Sequence, residues 1–278
     1  MRRRNAIKLA AGAFIGGGAC VTAMTTAFKT EAQAATPPKK IDFKESKTVW
    51  QYHKLNPKKV AKIAYEGYDV GSCMFGVFES IMAELGEQYG EPYASFPSQM
   101  MKYGHSGVGG SGTICGTLNG AGAIIGLFVE DKKIQDALMG ELFYWYENTE
   151  FPIYKPAKPV MDFTPPTSVA HSILCHASTT LWGKASGFRI KSKERKERCR
   201  CLTADVAKKT AVLLNKYINN EFVANEHDNE TVRGCMTCHG EEGKLGNTAG
   251  KMTCTSCHTP SAAHKVFGDA HYKFMDKK

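Results

Sequence analysis

The last 58 residues of this 278-residue chain cannot build a core from their own side chains. From Glu221 onward apolar residues thin out, and Gly, His, Lys and Cys dominate. Burial that sparse does not offset the entropy of ordering a chain. Within this tail lies RGCMTCHGEEGKLGNTAGKMTCTSCHTP, which holds Cys-x-x-Cys-His twice, at Cys235-Cys238-His239 and Cys254-Cys257-His258. Only 14 residues separate His239 from Cys254. A bound group must therefore supply what the side chains lack.

Two groups compete for that role. Cys238 and Cys254 enclose 15 residues, so the four thiols also read C-x2-C-x15-C-x2-C, a zinc-ribbon spacing. Covalent haem instead needs a histidine directly after each second cysteine. The two thiols add to the haem vinyl groups, and the adjacent imidazole reaches iron. Zinc has no use for that histidine at both sites, so the pattern reads as two haems c per chain, attached through Cys235, Cys238, Cys254 and Cys257. His239 and His258 are then the proximal iron ligands.

The front of the chain sets the compartment. Residues 1–34 read as an export signal: Arg2, Arg3, Arg4 and Lys8 precede a weakly apolar Gly/Ala stretch, and Ala32-Gln33-Ala34 suits signal peptidase. The run Arg3-Arg4-Asn5-Ala6-Ile7-Lys8 resembles a twin-arginine motif, with Ala6 where a bulkier apolar residue is usual. An ordinary secretory signal is the alternative. A lipoprotein signal at Cys20 is weaker, because Gly17 suits a lipobox poorly. Gly16-Gly17-Gly18 breaks the apolar run, which argues against a permanent membrane anchor. The periplasm is the expected location.

Charge is a poor guide to partners here. The formal charge of +9 includes Arg2, Arg3, Arg4, Lys8, Lys29 and Glu31 of the signal. Without them it falls to about +5, and the four propionates of two haems lower it to about +1. No basic stripe interleaved with aromatics supports nucleic-acid binding. The run from Lys191 to Arg198 mixes signs and reads as a solvated helix start.

The fold class reads as mainly α: a helical domain followed by a small, loop-rich dihaem module. Residues 35–56 form an extended arm, 57–220 the helical domain and 221–278 the module. Helical periodicity runs over 57–86, interrupted near Gly67 and Gly71. An apolar, Gly-rich helix is expected at 113–130, an amphipathic one at 131–147, and two more at about 168–183 and 193–219. Five prolines make 151–166 an irregular connection.

Five cysteines remain upstream: Cys73, Cys115, Cys175, Cys199 and Cys201. Two disulfides with one spare, or buried thiols, would account for them in an exported protein. Four of them, however, lie in separate helical segments that can converge. On the last helix Cys199 shares a face with Leu202, Val206 and Leu213, whereas Cys201 goes with Asp205 and Lys208 toward solvent. Cys73, Cys115, Cys175 and Cys199 then form an inward set of four, the number an iron–sulfur cluster needs. Glycines in Cys115-Gly116-Thr117-Leu118-Asn119-Gly120 allow close approach, to a neighbouring helix or to a cluster.

The run from Gly71-Ser72-Cys73 through Cys115-Gly116-Thr117-Leu118-Asn119-Gly120 to Cys175 and Cys199 resembles a family of redox proteins. That family is defined by a Cys, a Cys-Gly-Ala-x-x-Gly motif and two further Cys. Thr117 departs from it where Ala is usual. With the signal in front and two haem motifs behind, the chain resembles the split-Soret cytochrome c family of sulfate-reducing bacteria over nearly all of its mature length. The resemblance implies a homodimeric periplasmic dihaem cytochrome with stacked, bis-histidine haems, and an iron–sulfur site in the helical domain. It implies electron exchange with other redox proteins without naming them.

Each iron still needs a sixth ligand. His264 and His271 lie in the tail, and His227 precedes the first motif. His264 is too close to His258 to reach the far face of the same haem, so it would serve another, one in a partner subunit included. His171 and His176 flank Cys175 on a helix and read as ordinary core or surface histidines. Methionine is the alternative ligand; Met236 and Met252 are too close to their motifs, and Met275 remains. With both irons closed the chain is an electron carrier and not an enzyme. With one iron open it is a small-molecule reductase, though no catalytic constellation supports that reading.

Overall fold

In the computed structural model, residues 50–225, 230–256 and 258 are described. The export signal, Cys20, residues 35–49 of the arm, His227, Cys257, His264, His271 and Met275 lie outside them. The described fold is mainly α, with six α-helices and one two-stranded pairing of two residues each. The helices are α1 (Pro57–Tyr89), α2 (Gly116–Phe128), α3 (Lys132–Asn148), α4 (Cys175–Ser186), α5 (Lys193–Ile218) and α6 (Glu230–His239). Strands β1 (Glu150–Phe151) and β2 (Ser168–Val169) pair antiparallel, Glu150 opposite Val169. No described helix is long and apolar enough to cross a membrane.

Local chemistry starts the long helices. Asn56 caps α1 by accepting from the amides of Lys58 and Lys59, with Pro57 in the first turn. Asp131 does the same for α3, and Ser192 for α5 through the Arg195 amide. α1 and α5 pack on each other as the centre of the fold, and α2 lies against both. α2 approaches α1 backbone to backbone: a Cβ on Gly120 would sit 2.5 Å from the Met74 carbonyl. The end of the arm belongs to this core as well. Tyr52 and Leu55 are buried, and the Asn215 amide takes the Tyr52 hydroxyl and the Leu55 amide while donating to the Leu55 carbonyl.

Several expectations need correction. The interruption of α1 expected near Gly71 falls at Ser72 (φ 65, ψ −161), and there is none near Gly67. That conformation is nearly confined to glycine, so it persists only because the surroundings demand it. The helix expected at 168–183 begins seven residues later, at Cys175; Ser168 and Val169 instead pair with 150–151, and after a loop through 171–173 Leu174 bridges Ile114. His171 therefore lies in that loop (φ 48), and His176 alone of the two is helical.

Cys201 does not face solvent. It is fully buried with Ala61, Tyr65 and Ala204, and Asp205 is buried beside it. The reason is that the proline-rich connection covers this side of α5: Asp205 accepts from the Ile153 amide at 2.8 Å. Periodicity marked a second face without revealing that it too is covered. The charged run is likewise only half solvated. Glu197 and Arg198 are buried at its end, as is Arg200 just beyond it.

Candidate metal centre

The break in α1 at Ser72 puts Cys73 at the start of a new helical run, facing Cys199 across Tyr68. Cys115 and Cys175 arrive together by a different device. Ile114 and Leu174 form an antiparallel bridge. The Cys115 amide donates to the Ile173 carbonyl and the Cys175 amide to the Thr113 carbonyl, both at 2.8 Å. Each cysteine then opens a helix, Cys115 as the cap of α2 and Cys175 as the first residue of α4. Helix N-termini favour thiolate over thiol.

These four thiols line one cavity, with Tyr68, Ser106, Thr117, Ser178, Arg195 and Arg198 completing much of its wall. A water-sized sphere has about 20 Å³ of freedom there. Gly116 permits the close approach: a Cβ would come 2.2 Å from the Gly104 carbonyl and 2.5 Å from Cys73 Sγ. Cys73, Cys115 and Cys199 are buried and Cys175 is half-buried, so the cavity has its exposed side at Cys175.

The electrostatics of the cavity are unusual for a set of plain core thiols. Burial pushes the Cys73 thiol up to about 12, and Cys115 and Cys199 push the same way. Cys175 is raised by burial and by all three other thiols, with Arg198 opposing. Four neighbouring thiolates repel one another, so they ionise together only around cations. Groups that favour thiolate are in place. The Ser106 and Met74 amides lower Cys73. Thr117 Oγ1 stands 3.2 Å from Cys115 Sγ, a contact that the more usual Ala could not make. Arg195 and Arg198 donate to Cys199 Sγ at 3.7 and 3.9 Å.

Among the described residues no three His, Cys, Asp or Glu side chains form a set that could hold a metal ion as they stand. The thiols ring a cavity rather than a point.

Sequence periodicity left out the two arginines, Ser178 and the tyrosines. A signal for Arg195 existed in the i, i+4 spacing to Cys199 on one helix face. Nothing in the sequence marked Arg198, which sits one residue before Cys199 in a run that looks like solvated surface.

The tail is built otherwise. Among its described residues only Gly240 is buried. α6 carries the first haem motif, with Cys235 and Cys238 one turn apart and His239 at its end. His239 Nδ1 lies 2.9 Å from Asn247 Oδ1. A carbonyl oxygen there holds the proton on Nδ1 and leaves the Nε2 lone pair for a metal. In the second motif the His258 amide donates to the Cys254 carbonyl at 2.9 Å, one helical turn. Cys254 is raised by partial burial and by the Cys235 thiol, with which it hydrogen-bonds, so the two motifs meet. The residues of the first motif fit covalent haem; in the second, Cys257 lies outside the described residues. Met252 is exposed, and none of the three histidines of the helical domain, His105, His171 and His176, lines the cavity.

Residues 76–213 match the family described as "Putative redox-active protein (C_GCAxxG_C_C)". That span takes in Cys115, Cys175 and Cys199 and begins just after Cys73. The chain is 40% identical over 221 residues to the split-Soret cytochrome c of Desulfovibrio desulfuricans (strain ATCC 27774), covering 77% of this chain and 79% of that protein. A solved structure of the split-Soret cytochrome c from D. desulfuricans ATCC 27774, described as having a novel iron centre, superposes with a TM-score of 0.72 at 38% identity. The match covers 80% of this chain and 95% of the other.

Proposed function

Because the chain belongs to the split-Soret cytochrome c family, we propose that it is a periplasmic electron carrier with two covalent haems c and an iron–sulfur centre. The haems attach through Cys235, Cys238, Cys254 and Cys257, with His239 and His258 as proximal ligands. Cys73, Cys115, Cys175 and Cys199 hold the iron–sulfur centre. When bound, these groups supply one-electron chemistry.

One observation carries the reading. The cavity that collects four thiols from four separate segments also receives two guanidiniums, and among the described residues neither is in an ion pair. Disulfides or neutral thiols would leave Arg195 and Arg198 without counter-charge, at a cost of several kcal/mol for Arg198, the one of the two that is fully buried. An anionic, thiolate-bound centre provides it.

The chain's own residues then divide the work. The thiolates hold the centre, and the Ser106 amide and Thr117 hydroxyl offset charge on sulfur. Asn247 orients the His239 ring. The two sixth ligands are drawn from His264, His271 and His227, in a homodimer whose two tails lie together and hide the apolar faces of the haems.

The deciding experiment is an iron, acid-labile sulfide and haem count on anaerobically purified protein. Two haems per chain on denaturing gels, with excess iron and sulfide, is the expected result. Iron equal to haem, no sulfide and two disulfides by mass would end the iron–sulfur part. Zinc without covalent haem, from a host with haem-attachment machinery, would end the rest. Low-spin haem that ignores carbon monoxide after reduction separates a carrier from a reductase with an open iron. Replacing a true sixth ligand among His264, His271 and His227 should turn one haem high-spin. A split main absorption band and a dimer in sedimentation are expected; a monomer with one unsplit band contradicts the pairing.

A further inference from the structure

α5 buries two arginines two residues apart and treats them differently. Arg200 is neutralised by protein: it pairs with Glu197 and with Asp69, and its guanidinium lies 5.6 and 5.4 Å from the Tyr65 and Tyr68 ring centres. Arg198, only 1% exposed, is in no ion pair among the described residues. Its Nη2 donates to Ser178 Oγ at 2.8 Å, and the Tyr146 hydroxyl holds the same oxygen at 3.0 Å. Nη1 reaches Cys199 Sγ at 3.9 Å. Nε is buried with no hydrogen-bond partner.

A guanidinium is always charged and presents its donors in a rigid fork. Here one arm is fixed by Ser178, one lies on a cysteine sulfur, and Nε, like Nε of Arg200, has no hydrogen-bond partner; of the two arginines only Arg198 lines the thiol cavity. An orphaned buried donor costs free energy unless something fills it. A permanent cation beside a redox centre favours the state with one more electron.

Resting on the function proposed above, we propose that Arg198 is the positioning residue of the iron–sulfur centre: it supplies the centre's counter-charge, offers Nε–H to one of its sulfurs, and raises its reduction potential. Ser178 and Tyr146 act behind it by aiming the fork. Arg195, which also donates to the Ile190 carbonyl, contributes from the opening of α5.

The test uses anaerobically purified holoprotein and a redox titration followed by electron paramagnetic resonance. Arg198→Gln, carrying wild-type haem, iron and sulfide, should need an ambient potential lower by about 59 mV or more for half-reduction, equivalent to a tenfold change in the reduced-to-oxidised ratio of a one-electron couple. Arg198→Lys keeps the charge and should stay within about threefold of wild type in that ratio. The haem midpoints should not move. A loaded Arg198→Gln centre that titrates as wild type overturns the proposal and leaves the functional reading standing, and Arg198→Lys falling as far as Arg198→Gln overturns the counter-charge role. Should Arg198→Gln fail to assemble, Ser178→Ala decides, since it keeps the charge and releases the fork. A changed resonance signature with a nearly unmoved midpoint supports the proposal, and an unchanged signature overturns it. Wild-type protein with iron only in haem would sink the functional reading and this proposal with it.

Discussion

The helical domain and the tail hold cysteines on opposite terms. In the helical domain the four inward thiols are 42, 60 and 24 residues apart along the chain, and the fold must exist before they can meet. In the tail the thiols of each motif are three residues apart in sequence, those of the first motif lie one turn apart on α6, and among the described residues there almost nothing is buried. In the first region the fold makes the site. In the second the bound group has to make the fold. This difference predicts opposite responses to losing a cofactor.

The sharpest way to break that comparison is to remove haem. Replacing Cys235 and Cys238 by Ser should remove one covalent haem, seen on a haem-stained denaturing gel. The tail from 221 onward should then be cut by protease at least about tenfold faster, because its open form is no longer held back by bound haem. α1 to α5 should stay helical by circular dichroism. If the helical domain unfolds too, the two regions are not separable and the boundary near 221 is misplaced.

Losing one inward thiol tests the other side. Cys199→Ser should abolish acid-labile sulfide, whereas Cys201→Ser should retain it, because Cys201 packs with Ala61, Tyr65 and Ala204 away from the cavity. The mature tail should keep both haems in each variant. Sulfide lost equally from both would mean that α5 presents its cysteines differently from the structure described here.

These two variants also show how much was legible in advance. The Cys-x-x-Cys-His motifs were readable because their pattern is local: two cysteines and a histidine at fixed spacing. The mainly α class, α1, α3 and α5 were readable from periodicity. Cys199 was separated from Cys201 by helix face, and the structure puts Cys199 alone of the two at the cavity. What could not be read was non-local. The start of α4 depended on an antiparallel bridge between Ile114 and Leu174, far apart in sequence. Burial of Cys201 and Asp205 depended on a loop with no periodicity of its own. Arg198 looked like one charge among many until the fold placed it in the cavity.

A smaller effect is expected at the cradle. Gly116→Ala would force a methyl group against the Gly104 carbonyl and Cys73 Sγ, at a cost of about 1–3 kcal/mol if the backbone shifts to relieve it. The thermal midpoint of the helical domain should fall by several degrees, and sulfide content should fall with it. A stable protein with full sulfide would mean that the approach of α2 to Cys73 is slacker than the structure shows.

The smallest expected effect lies on the covered face of α5, where no cofactor is involved. Burial pushes Asp205 from its ordinary 3.8 up to about 7, despite the pull of the Ile153 and Tyr154 amides and of Lys208 and Arg198. Between those two values the folded state binds a proton that the unfolded state has released, so stability falls as pH rises through that window. The contribution of Asp205 is fully present below about pH 4 and gone above about pH 7. Asp205→Asn keeps an oxygen for the two amides and removes the titration. The difference in denaturation midpoint between variant and wild type should therefore grow in the variant's favour from pH 5 to pH 8. A difference that stays flat across that range would mean Asp205 is charged throughout, and that the proline-rich loop seals this face of α5 less tightly than the cavity side is sealed around its thiols.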